Sequence, residues 1–312
     1  MGCLRYLWAG ATLLVLTAFL FYDLVGQFQL GRRPGRQCPT DTPTNAGAWP
    51  GVPFGLKHEL TPTGAAVTPT HGHHEHTAVE VAPAPTPKQI KIHPSRNWAG
   101  AMNSDPPSGR FAAAKMRFTL PGLLRADVVQ PAADYYAANA WVGIDGWSHQ
   151  TAILQAGVVM QVNKTVSDEL VFKPWFEWWP EPAVFFDIPM GPGDDIKIEV
   201  VMFNATSGKV LLENNSRGEW VIRKLMSPHP DVPLAGKTVE WILEDFKLAR
   251  GPNVPLGDFG TLELRDCVAY TSADEKVGPD PSQPFWIRQD NVTRARSAVN
   301  GSSVTIEYNR SL

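Results

Sequence analysis

Four short stretches place polar side chains on segments that are otherwise apolar and β-prone. In VEWILEDF, running from Val239 to Phe246, two glutamates stand four residues apart. Side chains alternate along a strand, so Glu240, Ile242, Glu244 and Phe246 would share one face. The same rule puts Trp141, Gly143 and Asp145 together in WVGID and Gln155 beside Ile153 and Gly157 in AILQAG. It also puts Glu177 between Trp175 and Trp179 in WFEWW. Taken singly, each is what the solvated face of a sandwich strand contains. Taken together they offer carboxylates for proton transfer and an amide that donates a hydrogen bond without ever ionising.

Other chemistries lack their parts. There is no G-x-S-x-G elbow, no H-E-x-x-H and no glycine-rich phosphate loop. Beyond residue 97 only His149 and His229 remain as histidines, and neither has the flanking signature of a Ser-His-Asp enzyme. The Asp-Thr/Ser-Gly loops of pepsin-like enzymes are absent too. The three cysteines, Cys3, Cys38 and Cys267, exclude a cysteine-based zinc site and a disulfide framework, although Cys38 and Cys267 are able to pair. No metal and no cofactor is called for. An enzyme built on this sequence must work with carboxylates and amides.

The elements that would position these groups are strands. Period-2 stretches recur at 111–120, 140–146, 152–162, 170–179, 195–204, 209–215, 219–225, 239–246 and 260–270, punctuated by Gly, Pro, Asn or Asp. No segment holds a 3.6-residue apolar period over three turns. Many strands without helical crossovers predict an all-β fold of two large antiparallel sheets packed as a sandwich over residues 97–312.

The leader differs in composition. Residues 1–26 contain the apolar run LWAGATLLVLTAFLFY at 7–22 behind Arg5, which reads as a signal peptide or a signal anchor. Residues 27–96 read as a loosely ordered propeptide or linker. From 37 to 96 they hold ten of the 28 prolines and six of the eight histidines, including HGHHEH at 71–76. Residues 1–96 carry 8 basic and 5 acidic side chains, against 20 and 26 in residues 97–312. The mild acidity of the body and the net charge of −3 argue against nucleic-acid binding. Asn163, Asn204, Asn214, Asn291 and Asn300 each open an N-x-S/T sequon, more than chance supplies, and so point to secretion and surface glycosylation. A membrane enters only if the first segment stays as an anchor, and nothing demands more than a monomer.

Read in order, NWAGA (97–101), AWVGIDG (140–146), AILQAG (152–157), WFEWWPE (175–181) and EWILEDF (240–246) resemble the glutamic peptidases, or eqolisins. The resemblance spans essentially residues 97–312. It implies a β-sandwich, secretion with a propeptide, and hydrolysis of protein or peptide substrates in acid. It places the catalytic glutamine at Gln155 and the catalytic glutamate at Glu244, with Trp141, Asp145, Trp175 and Glu177 lining the cleft and Glu240 in support. Two positions that are acidic in the family are Val159 and Lys173 here, so a less extreme acid optimum is expected. The assignment requires Gln155 and Glu244 to converge over one groove with room for a water.

Two alternatives remain open at the level of the sequence. A retaining β-sandwich glycosidase would use Glu177 and Glu244 as its carboxyl pair, with tryptophans stacking on sugar, but it leaves Gln155 without a role. A lectin-like sandwich would keep the fold without the reaction.

Overall fold

The computed structural model describes residues 90–247 and 254–311. Of the leader segments expected at 1–26 and 27–96, residues 1–89, with HGHHEH and Cys38, lie outside the described residues.

Strands account for the regular structure. The first eight are β1 (His93–Ser95), β2 (Trp98–Asn103), β3 (Phe111–Thr119), β4 (Tyr135–Ile144), β5 (Ile153–Asn163), β6 (Ser167–Trp179), β7 (Val184–Phe185) and β8 (Asp195–Asn204). Then follow β9 (Ser207–Asn214), β10 (Glu219–Met226), β11 (Val239–Glu244), β12 (Thr261–Thr271), β13 (Lys276–Val277), β14 (Pro284–Gln289), β15 (Val292–Asn300) and β16 (Ser303–Tyr308). The pairing order is β10-β9-β8-β3-β12-β16-β15-β14-β2-β11-β4-β5-β6-β7. Pairing is antiparallel along this path, and only the short β1 joins β14 in parallel.

The path forms two layers because β12 serves both. Its first half, Thr261–Leu264, pairs with β16, and its second half pairs with β3. A bulge between Arg265 and Val268, with Asp266 at a φ of 52°, turns the strand from one layer into the other. Ile196, Ile198, Val200, Val210 and Leu212 from one layer meet Ala140, Val142, Leu154, Val158, Trp241 and Leu243 from the other.

The layer that carries the polar motifs is covered on both faces. Val239, Trp241 and Leu243 of β11 point into the inter-sheet core. Ile242 points the other way, into a second cluster with Met102, Trp141, Val159, Trp175, Val254 and Phe285. Side chains of this size stabilise the fold by about 1.5–3 kcal/mol each when fully buried. Close approach of β2 to β11 requires a glycine: Gly100 has a φ of 148°, and a Cβ there would lie 2.1 Å from the Trp241 carbonyl oxygen.

All nine expected strands are present, and β1, β2, the short β7 and β13, and the three strands β14 to β16 add to them. Residues 93–95 already belong to the sheet, ahead of the boundary expected at Asn97.

Candidate active site

The face of β4, β5, β6 and β11 that looks away from the core carries the candidate groups in cross-strand rows. One row runs Glu177, Gln155, Gly143, Glu240. The next runs Trp175, Gly157, Trp141, Ile242, and the third runs Lys173, Val159, Asn139, Glu244. Residues paired across strands project to the same side, so Gln155, Glu177, Glu240 and Glu244 share one face. Gln155 and Glu244 stand two strands apart and four residues out of register, an offset of ~10 Å across and ~13 Å along the sheet.

Glu244 is partly buried at the end of β11 and held by three donors. Asn97 Nδ2 and Trp98 Nε1 donate to its Oε1 at 2.9 and 3.2 Å, and Trp141 Nε1 donates to its Oε2 at 3.0 Å. Burial raises its pKa, and the bonds from Trp98, Trp141 and Asn97 oppose that rise by favouring the charged form. Gln155 is buried and donates from Nε2 to Glu177 Oε2, while its own Oε1 has no partner. Burial lifts the Glu177 carboxyl to about 7, against the opposing bond from Gln155 and with help from the negative charge of Glu244.

Trp141 and Trp175 form the floor rather than the rim. Both are buried, and Trp175 Nε1 donates to Asn139 Oδ1 at 2.8 Å. Trp98 stacks edge-on to Trp141 at 5.1 Å and to Phe285 at 5.9 Å, and Trp147 packs on Phe285 at 4.8 Å. Glu240 is wholly buried, with both oxygens lacking a well-formed hydrogen bond. Burial holds its pKa well above the usual carboxylate range.

Two expectations are corrected. Asp145 does not line the cleft: it lies just past β4, fully buried, with a φ of 67°. Its carboxylate accepts the backbone N–H groups of Ala235, Gly236 and Lys237 at 2.7 to 2.8 Å, so its work is to tie down that loop. Asn214 is not a surface glycan acceptor: it is fully buried, and its Nδ2 donates to Pro189 O and Asp194 Oδ2. Asn204, Asn291 and Asn300 are exposed and Asn163 is partly so.

The sequence model of the peptidase A4 family matches residues 96–308. The chain belongs to the peptidase A4 family. Aspergillopepsin-2 of Aspergillus niger is 35% identical over 177 residues, covering 56% of this chain and 61% of that protein. Scytalidopepsin B of Scytalidium lignicola is 34% identical over 179 residues, covering 55% and 66% respectively. The match thus spans less than two thirds of the length of these curated relatives. Among solved structures, scytalido-glutamic peptidase with a transition state analog inhibitor superimposes with a TM-score of 0.59 at 29% identity, covering 69% of this chain and 98% of that one. Aspergilloglutamic peptidase from Aspergillus niger gives a TM-score of 0.51 at 35% identity over 56% of this chain and 99% of that one. The glutamic-peptidase resemblance and the two-sheet sandwich read from the sequence are both shown by these matches.

Within this peptidase A4 chain, Asn97, Trp98 and Asn139 are the site residues that sequence reasoning left without a role. The first two sit in the NWAGA motif, but their target Glu244 lies 147 and 146 residues away, so adjacency in the chain gives no hint of the contact. Asn139 is marked only as a polar residue in an otherwise apolar strand.

Proposed function

We propose that the chain is an acid endopeptidase in which Glu244 activates water and Gln155 stabilises the oxyanion. The carrying observation is the way Glu244 is held. An ionised carboxylate offers about four acceptor positions. Asn97, Trp98 and Trp141 fill three, two on Oε1 and one on Oε2. The fourth, on Oε2, is left for a water proton. Glu244 takes that proton as the water attacks the peptide carbonyl, and hands it to the departing amine. The Gln155 amide donates to the oxygen that becomes negative, and it does so without itself ionising.

The titrating groups set a window. Glu244 must be ionised, so activity falls as pH drops through its raised pKa. The displaced pKa, together with Val159 and Lys173 in the row of Glu244, supports an optimum that is acidic but not extreme. The exposed sequons support a secreted, glycosylated protein acting on protein or peptide substrates as a monomer. A glycosidase scheme gives the Gln155–Glu177 bond no part to play.

The test is an assay of the secreted protein on an acid-denatured protein between pH 2 and 7, with and without pepstatin, beside a polysaccharide panel. Pepstatin-insensitive proteolysis with its maximum above pH 3 is expected. Polysaccharide cleavage, binding alone, or a maximum below pH 3 would overturn the reading.

A further inference from the structure

Gln155 has two faces at its amide, and the structure satisfies only one. Nε2 donates to Glu177 Oε2, while Oε1 is buried without a partner. In this orientation one N–H of the amide is spent on Glu177, and the position left without a partner holds an acceptor, not a donor. Rotating the terminal amide by half a turn exchanges N and O with almost no change of shape. Oε1 would then face Glu177, and this is favourable only if Glu177 carries a proton to donate.

We propose that Glu177 is a positioning residue whose protonation turns the Gln155 amide, presenting its NH₂ to the substrate oxygen. With Glu177 ionised, the carboxylate accepts from Nε2 and keeps the acceptor Oε1 in the unpartnered position, where it would repel a developing oxyanion. With Glu177 protonated, its O–H donates to Oε1, and both N–H bonds of Nε2 are released toward the reaction. No proton is transferred to substrate by Glu177. The raised pKa of the carboxyl, about 7, puts this change on the neutral side of the activity window. The groups acting on Glu177 are few: Gln155 from β5 and the Glu244 charge from β11. On its other flank β7 brings Val184 and Phe185, neither of which ionises. Glu240 lies in the same row beyond Gly143, buried, with its pKa raised by that burial.

This inference rests on the peptidase reading, and its test separates the two. The ¹⁵N and ¹H shifts of the Gln155 side-chain amide, identified by their loss in Gln155→Ala, are followed from pH 4 to 8. They are expected to show a step near neutrality in the wild type and to lose that step in Glu177→Gln, where position 177 no longer ionises. This readout needs no catalysis, so it stands or falls apart from the activity. In turnover, Glu177→Gln is expected to lose the neutral-side decline of kcat. Glu177→Ala is expected to lower kcat by up to ~10² with KM little changed, because the amide is no longer aimed. A Gln155 amide indifferent to pH in the wild type, or a neutral limb retained in Glu177→Gln, would overturn the proposal even in an active peptidase. Absence of acid proteolysis in the wild type would instead count against the peptidase reading.

Discussion

Trp141 shows how much of the site depends on single hydrogen bonds. It is fully buried, yet its indole N–H reaches Glu244 Oε2 at 3.0 Å. That bond favours the charged carboxylate and so holds down a pKa that burial raises. Replacing Trp141 with Phe keeps an aromatic ring but removes the donor. A bond to a charged group contributes about 1.5–3 kcal/mol, so the acid limb of kcat/KM is expected to move up by roughly 1–2 pH units. A pH–rate profile of a folded Trp141→Phe protein with its acid limb unmoved would contradict this account of Glu244. Lys173 and Val159 share a row with Glu244, and there they place one cationic and one apolar side chain.

At the scale of elements, close packing of β4, β5 and β6 sets the floor of the groove. Gly157 lies where a Cβ would come within 2.5 Å of Ala140 O, 2.7 Å of Trp141 Cβ and 2.9 Å of the Trp175 ring. Gly157→Ala is therefore expected to destabilise the fold by about 1–3 kcal/mol through overpacking, read as a lower urea midpoint. An unchanged midpoint would show that the strands are more loosely packed than described. The strands most legible in the sequence are those with one core face and one wetter face, such as β8 and β9, whose burial alternates residue by residue. β2, with Ala99, Ala101 and Met102 buried, is covered on both sides and shows no alternation to read. β15 hides its period behind a buried Arg294, which donates to a buried Asp127 that also accepts from Tyr308 at 2.7 Å. Asp145 misled for a related reason. The resemblance places it in the cleft and alternation puts it on the face of Trp141, but the strand ends one residue earlier, and the left-handed backbone there accompanies a carboxylate bonded to the 235–237 loop.

Over the whole molecule, the polar motifs are brought together by pairings between strands far apart in sequence. β11 lies between β2 and β4, so residues near 98, 141 and 244 meet only once the sheet is complete. A local reading finds the motifs, but their convergence belongs to the topology. Buried carboxyls also tilt the balance between folded and unfolded chains. Glu177, Glu240 and Glu244 all have raised pKa values in the fold, so between about 4.5 and neutrality the folded state binds more protons than the unfolded one. Their contribution to stability is greatest in acid and declines as pH rises. The central claim is that Glu244 is the base, and it is tested most directly by the turnover of Glu244→Gln on a denatured protein near the optimum. Gln keeps the shape and an acceptor for Asn97 and Trp98 but cannot take a proton. The account predicts a loss of kcat of at least ~10², and a folded Glu244→Gln protein retaining turnover within about tenfold of wild type would contradict it.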